Sequence, residues 1–207
     1  MENQTSNKEI IALGIRLLII TAIAALVLGW AHKITLDPIK QQNIKTNNEA
    51  MKEVLPSAES FQKIASKTPE AGEKMDLDLK ADSAVSEVNK AVKGSDTIGY
   101  TVKISTKGYG GLIEMVVGIS KEGKVEGIKI LSHSETPGLG AKAPEPEFSG
   151  QFKGKPTDKP LQVVKTAPSG DNQIQAITGS TITSTAVTKG VNEAVDFFKS
   201  ELKGGQN

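Results

Sequence analysis

Hydroxyl side chains crowd one short segment near the C-terminal end of the chain, QAITGSTITSTAV (175–187). They include Thr178, Ser180, Thr181, Thr183 and Ser184. The segment lies where a strand-like run meets a predicted helix, and a helix N-terminus presents unpaired N–H groups that bind phosphate well. Gly179 permits a close approach of the backbone or a positive φ. The alternative is simple helix capping, which on local chemistry alone is the more common role for such residues.

A second candidate for ligand binding is the loop HSETPGLG (133–140), directly after a predicted strand. Two glycines around a proline-containing turn indicate a loop that approaches a flat ligand or another backbone closely. Ordinary turns have the same composition, so the loop alone does not establish a site. The candidate residues in it are Glu135, Thr136, Pro137, Gly138, Leu139 and Gly140.

The third candidate is the flexible loop GYGG (108–111), whose Tyr109 could cover a ring system or simply lie between two strands. Two further residues have open roles. His133 could donate a proton to a ligand, although a lone histidine beside a turn is more often a hydrogen-bonded structural residue. Lys142 could lie near carbonyl groups of a ligand or be a solvated charge.

The composition limits the chemistry. Lys and Arg total 25 and Asp and Glu total 24, so the net charge of +1 argues against a nucleic-acid partner. The chain has no cysteine, which excludes a cysteine-held iron–sulfur cluster, a disulfide and covalent haem attachment. With only two histidines, a multi-histidine metal site is also disfavoured. Any redox chemistry therefore needs an organic cofactor.

The elements that position these loops follow from hydrophobic periodicity. In TIGYTVKIS (97–105) every second residue is apolar, which predicts a half-buried strand. IEMVVGI (113–119) and VEGIKIL (125–131) flank a turn in which Gly123 supplies a positive φ, so they predict a β-hairpin. LQVVKT (161–166) is a further candidate strand.

The last segment, 183–202, is predicted to be a helix with one apolar face. Apolar residues recur there at spacings of three and four: Val187, Val191, Ala194, Val195, Phe198 and Leu202. The predicted fold class is therefore α+β, with a twisted antiparallel sheet on which helices pack.

The segment 10–31, IIALGIRLLIITAIAALVLGWA, is predicted to be a transmembrane helix after a short tail, 1–9. Its 22 residues contain one charge, Arg16, near one end, and Trp30 lies near the other. A cleaved signal peptide would have a shorter apolar core and a small-residue cleavage site. A buried helix of a soluble protein would show a polar face. The flanking lysines barely discriminate between the two orientations.

Residues 32–96 are predicted to be a stalk with surface helices between the span and a domain at 97–203. Pro38 is expected to break the helix that follows the span. The stretch 39–55 is either an amphipathic helix, with Ile44, Met51 and Leu55 on related faces, or a solvated stalk. Residues 64–96 are charged and poor in large apolar side chains, which indicates a surface segment rather than core.

Taken together and in order, three segments resemble a known family: GYGGLIEMVVGI, KVEGIKILSHSETPGLGAK and QAITGSTITSTAV. They match the FMN-binding domain shared by the RnfG and NqrC subunits of ion-translocating oxidoreductase complexes. The resemblance covers about residues 97–200, and the preceding single span fits it as well. The compact chain, without long insertions, is more similar to the Rnf type.

The resemblance implies that the last threonine of the motif, Thr181, carries covalent FMN through a phosphoester made by a separate flavin transferase. The loop 135–140 would line the flavin pocket, and Gly179, Ser180 and the helix N-terminus would stabilise the phosphate. The motif contains no general base of its own, in keeping with a separate transferase. In one departure, Gln175 stands where the family motif often has Asp.

The implied role is electron transfer within an Rnf complex that couples ferredoxin:NAD⁺ electron transfer to Na⁺ or H⁺ transport. The implied partners are the other membrane and soluble subunits, the flavin transferase and the membrane itself. The soluble domain is expected on the extracytoplasmic side, where a permanent ester would prevent loss of flavin. The alternatives are an NqrC-like subunit of a Na⁺-translocating NADH:quinone oxidoreductase and a non-redox, membrane-anchored binding module.

Overall fold

The computed structural model describes residues 7–69 and 72–203 and divides the chain into two compact units, 1–45 and 46–207. The helices are α1 (Asn7–Val54), α2 (Pro146–Ser149) and α3 (Thr181–Phe197), the last continued by a π-helical turn, Phe198–Lys203. Two 3₁₀ turns cover Gly140–Lys142 and Gly150–Phe152. The strands are β1 (Ser60–Ser66), β2 (Val85–Lys93), β3 (Asp96–Lys107), β4 (Leu112–Ser120), β5 (Lys124–Ser132), β6 (Lys155–Pro156), β7 (Gln162–Val164) and β8 (Gln173–Gln175).

The described residues of the first unit, 7–45, form the N-terminal part of α1. Within the described residues, its segment Glu9–Thr35 is the one stretch of helix long and apolar enough to cross a membrane. The side chains described in it are exposed, including Leu26 and Trp30. A core helix of a soluble protein would be buried, so this pattern favours a bilayer as the surroundings of the helix.

Helix α1 extends at both ends beyond the predicted span. It begins at Asn7, inside the predicted tail 1–9, of which residues 1–6 lie outside the described part of the chain. The expected break at Pro38 is wrong, because the helix continues through that residue to Val54. A proline removes one backbone N–H donor from a helix. Here the helix continues on both sides of Pro38 although that one hydrogen bond is missing.

The second unit is built on a six-stranded antiparallel sheet in the order β1-β2-β3-β4-β5-β6. A separate two-stranded parallel sheet pairs β7 with β8. The predicted hairpin is confirmed as β4 and β5, and Gly123 in its turn has φ +86°. The α+β class with one N-terminal apolar helix is confirmed.

Helix α3 covers one face of the sheet, as its apolar stripe predicted. All six residues of that stripe are buried, and they join core residues of the strands such as Ile104, Met115 and Val117. The end of α1 covers part of the opposite face, where Met51 and Val54 pack against Val116. The sheet of the second unit therefore has helical cover on both faces.

The amphipathic helix predicted as one alternative for 39–55 is confirmed only in part. Residues up to Val54 are helical, Met51 and Leu55 are buried, and Ile44 is 55% exposed. Only the end of this segment thus behaves as the predicted amphipathic helix, because the residues buried there pack on the sheet.

The interpretation of 64–96 as a surface segment is wrong for its strands. Strand β2 is an interior strand between β1 and β3, and Val85, Val88 and Ala91 in it are at most 2% exposed. Register shifts at Val85/Glu87 and Ala91/Val92 break the alternation of buried and exposed residues. A bulge inserts an extra residue into one strand, so the period-2 signal is lost. The sheet consequently begins at Ser60 rather than at 97.

Close approach of α1 to the sheet depends on small residues, which yields a stability prediction. A Cβ at Gly118 would lie 2.9 Å from the backbone oxygen of Val54, whereas a Cβ at Gly127 would lie 3.6 Å from the Cα of Val54. We expect Gly118→Ala to destabilise the fold by about 1–3 kcal/mol through overpacking. The matched Gly127→Ala should change stability by less than about 0.5 kcal/mol. Denaturant unfolding of the full-length protein in detergent measures both, and equal stabilities would contradict this packing.

Candidate functional site

The three candidate loops meet at one pocket of about 530 Å³. The loop between β3 and β4 contributes Tyr109, the loop after β5 contributes residues of 135–140, and the start of α3 contributes the rest. This volume falls within the range of ordinary small-molecule sites. The lining residues are Tyr109, Glu135, Thr136, Leu139, Gly140, Gly179, Ser180, Thr181, Ile182 and Thr183.

A buried carboxylate, Glu135, joins the three segments. One oxygen, Oε1, accepts a hydrogen bond of 3.0 Å from the backbone N–H of Gly110. The other, Oε2, accepts a hydrogen bond from the hydroxyl of Thr183, in the first turn of α3. Hydrogen bonds to an ionised group are stronger than neutral ones, so this side chain fixes the two other segments against its own loop.

The position of the Glu135 loop is also set by His133. The backbone N–H of Glu135 donates a hydrogen bond of 3.3 Å to Nδ1 of His133, which is partly buried. This contact gives His133 a structural role, as expected for a lone histidine beside a turn.

Glycines let the loops approach one another closely. A Cβ at Gly110 would lie 2.0 Å from the backbone oxygen of Ser134, and a Cβ at Gly140 would lie 2.5 Å from Oγ1 of Thr183. Both distances are far shorter than van der Waals contact. Any side chain at either position would force the loops of the pocket apart.

The turn before α3 leaves the hydroxyl of Thr181 accessible. Ser180 is the N-cap residue, but its side chain makes no capping hydrogen bond, so the simple capping interpretation fails for it. The hydroxyl of Ser184 holds the turn instead, since it donates to the oxygen of Ser180 and accepts from the N–H of Ile177, both at 2.9 Å. Thr181, the first residue of α3, is exposed and lines the pocket.

The end of α3 at the pocket is suited to an anion. The N–H groups of residues 181–183 precede the first backbone hydrogen bond of the helix, from Ser184 to Ser180. Gly179, with φ +76°, turns the chain immediately before this end. A phosphate on Thr181 would therefore lie at the positive end of the helix dipole.

The pocket also has an apolar rim. Tyr109 is 70% exposed, Leu139 42% and Ile182 58%, although large apolar side chains are usually buried. Outside α1, the only other large apolar side chain so exposed among the described residues is Leu112, in the strand that follows Tyr109. An apolar, flat group is the ligand that such a rim favours.

Eight of the predicted site residues line this pocket, and four do not. Lys142 and Thr178 line a different cavity of about 290 Å³, beside Phe148, Gln151 and Gln175. Pro137 and Gly138 are exposed in the loop and line neither cavity. The predicted site residues did not include two that line the pocket, Ile182 and Thr183. Ile182 could have been recognised as an apolar residue outside the buried stripe of α3, and Thr183 as one of the hydroxyl residues of the motif segment.

Gln175, the position that departs from the family motif, is fixed by hydrogen bonds from its backbone to the side chain of Gln151. Its N–H donates a hydrogen bond of 2.7 Å to Oε1 of Gln151, and Nε2 of Gln151 donates one of 3.2 Å to the oxygen of Gln175. Its own side chain is exposed. The segment that leads into the turn at 178–181 is thus fixed without a carboxylate at this position.

The sequence and the fold both match known proteins. Residues 108–196 match the family of FMN-binding domains. The G subunit of the Na⁺-translocating ferredoxin:NAD⁺ oxidoreductase complex of Acetobacterium woodii is 40% identical over 200 residues, which cover 95% of each chain. The G subunit of the proton-translocating ferredoxin:NAD⁺ oxidoreductase complex of Clostridium ljungdahlii is 38% identical over 196 residues, again 95% of each.

A more distant relative and a solved structure agree with these matches. The G subunit of the ion-translocating oxidoreductase complex of Methanosarcina acetivorans is 34% identical over 199 residues, 95% of this chain and 98% of that one. The crystal structure of the C subunit of the Na⁺-translocating NADH-quinone reductase from Parabacteroides distasonis superposes with a TM-score of 0.57. It is 20% identical and covers 79% of this chain and 96% of its own, so it supports the fold alone.

The Glu135 contacts generate a prediction about stability. Glu135→Ala removes the acceptors of the Gly110 N–H and the Thr183 hydroxyl, so we expect a loss of about 2–3 kcal/mol. Glu135→Gln should cost less, because its amide oxygen still accepts from Gly110 while its NH₂ group donates to the hydroxyl of Thr183. Denaturant unfolding of the full-length variants gives the ranking. If Gln proves as damaging as Ala, the carboxylate acts by charge and not as a bridge.

Proposed function

Because this chain belongs to the family of G subunits of ion-translocating oxidoreductase complexes, we propose that it carries electrons through an FMN esterified to Thr181. The family follows from relatives 34–40% identical over 95% of the chain. The FMN-binding domain at 108–196 contains all the residues that line the pocket. The relatives favour the RnfG type over the NqrC-like alternative, for which the structural likeness concerns the fold.

The observation that carries the proposal is the place of the Thr181 hydroxyl. It lies on an exposed side chain at the helix end, on the wall of a pocket that has an apolar rim. A flavin nucleotide has a phosphate at one end and a flat aromatic ring system at the other. The phosphate matches the helix N-terminus and the ring system matches the pocket with its apolar rim. FMN, when bound, supplies the electron-transfer chemistry that the side chains of this chain cannot.

The chain's own residues would bind and orient the group. The N–H groups at the start of α3 would donate to the phosphate, and Gly179 would leave room for it. Tyr109, Leu139 and Ile182 would cover the ring and exclude water from it. Glu135 would act indirectly, because it holds the segments that carry Tyr109 and Thr183.

Attachment would be a phosphoryl transfer from FAD, made by a flavin transferase. The hydroxyl oxygen of Thr181 forms a bond to the phosphorus of the FMN half, the bond from that phosphorus to the bridging oxygen breaks, and AMP leaves. The hydroxyl proton passes to a base of the transferase. A threonine hydroxyl is a weak nucleophile without a base, and the motif Thr178-Gly179-Ser180-Thr181 contains no basic or acidic side chain of its own.

The proposed setting is a multi-subunit complex. The relatives are named as subunits of ferredoxin:NAD⁺ oxidoreductase complexes, one Na⁺-translocating and one proton-translocating. In our proposal, other membrane and soluble subunits hold the ferredoxin and NAD⁺ sites, since this chain has no cysteine for a cluster. The coupling ion therefore differs between relatives of similar identity within this family.

The apolar part of α1 would anchor the protein in the membrane, with the soluble unit on the extracytoplasmic side. A helix of this length and exposure fits a bilayer. A permanent ester fits the outer side, because a dissociating flavin could not be replaced there.

The attachment site can be tested with a denaturing gel. In protein matured beside a flavin transferase, we expect a band that fluoresces under ultraviolet light and survives denaturation. Thr181→Val should abolish the band because the nucleophilic oxygen is missing, whereas Thr181→Ser should retain part of it. Thr166→Val, an exposed threonine outside the pocket, serves as the control. Mass spectrometry that finds Thr181 unmodified in matured wild-type protein would falsify the attachment.

The orientation can be tested because the chain has no native cysteine. We expect Ser169→Cys, in an exposed loop of the soluble unit, to react with a membrane-impermeant maleimide in intact cells. Ser6→Cys, before the span, should react only after the cells are opened. The reverse pattern would place the soluble unit in the cytoplasm.

A further inference from the structure

A further cavity lies beside Thr181, the proposed attachment point, and shares two lining residues with the 530 Å³ pocket. Its volume is about 300 Å³, and Thr181 and Ile182 line both cavities. The remaining lining residues of the second cavity are Lys107, Thr185, Ala186 and Lys189. The side chain of Thr181 thus stands between two cavities of different chemistry.

The charges on the two sides of Thr181 are opposite. The larger pocket contains the buried carboxylate of Glu135 and the exposed apolar rim. The smaller one is lined by two lysines and by no acidic residue. An anion attached at Thr181 is therefore repelled on the Glu135 side and attracted on the lysine side.

The two lysines come from separate elements. Lys107 is the last residue of β3, and Lys189 lies eight residues after Thr181 on α3. Residues 181, 185 and 189 follow one another at four-residue spacing, so they share one face of the helix, and helical side chains lean toward the N-terminus. The side chain of Lys189 is therefore able to reach back toward Thr181, along the cavity that both residues line, once it leaves Glu193.

Lys189 is only loosely held by its neighbour. Its Nζ lies 3.5 Å from Oε1 of Glu193, and the side chains are 72% and 36% exposed. Exposed ion pairs of this kind contribute little, so the ammonium group can leave it for a stronger anion.

Resting on the proposed ester at Thr181, we propose that Lys107 and Lys189 bind the non-bridging oxygens of the flavin phosphate. The ammonium groups hold the phosphate in the smaller cavity, and the rest of the nucleotide is thereby directed into the larger pocket under the apolar rim. Lysine suits this role because its ammonium group acts as a point charge toward phosphate. The two lysines are positioning residues for attachment and binding residues for the mature ester.

The test compares charge-removing and charge-keeping variants of the full-length protein. Lys107→Gln and Lys189→Gln are each expected to slow flavinylation by a transferase with FAD roughly twofold to fivefold, as expected for loss of one exposed charge contact. Lys107→Arg and Lys189→Arg should restore most of the rate. Lys121→Gln is the matched control, because that exposed lysine lies beyond the opposite end of β4, roughly 30 Å away along the strand.

A second readout avoids the transferase. After complete modification, the ³¹P resonance of the phosphodiester should shift in Lys107→Gln and Lys189→Gln relative to wild type and to Lys121→Gln. A slower rate with an unchanged ³¹P resonance would mean that the lysines contact the transferase, and the inference would be wrong. Equal rates and equal resonances in all variants would overturn it too. If wild-type Thr181 itself stays unmodified, the proposed function fails, and that outcome is distinct from the others.

Discussion

The site depends on one buried carboxylate that three separate segments share. Glu135 accepts hydrogen bonds from the Gly110 N–H and the Thr183 hydroxyl, residues 25 and 48 positions away in the chain. Burial without such donors would cost several kcal/mol, so the carboxylate is stable only while both loops are in place. The same bonds that satisfy Glu135 therefore define the pocket beside Thr181.

The sheet and α3 supply the rigid support for that bridge. Helix α3 packs so closely on the sheet that a Cβ at Gly190 would lie 2.6 Å from both Met115 Cε and Thr106 Cγ2. Because Val187, Val191 and Ala194 are fully buried, the helix cannot rotate without exposing its apolar face. Its N-terminus, with the N–H groups that suit a phosphate, is consequently fixed at the mouth of the pocket.

The division of labour in the proposed complex follows from the composition of this chain. A chain without cysteine and with two histidines offers few ligands for a metal centre, so an organic cofactor has to carry the electrons. Covalent attachment would keep that cofactor on a protein whose pocket has an exposed apolar rim. The rest of the reaction would belong to the partner subunits, in keeping with relatives that are named as parts of complexes.

The sequence alone determined the elements with clean periodicity and the residues of the motif. The apolar stripe of α3, the β4–β5 hairpin and the apolar span could all be predicted, because the hydrophobic pattern of each lies within one short stretch of sequence. Strand β2 could not be predicted in this way, since its register shifts break the alternation of buried and exposed residues. The tertiary structure alone decided which polar groups meet. It placed Lys142 in a different cavity and brought Lys107 and Lys189 to Thr181, because contacts between loops depend on how the sheet and helix pack and not on local spacing.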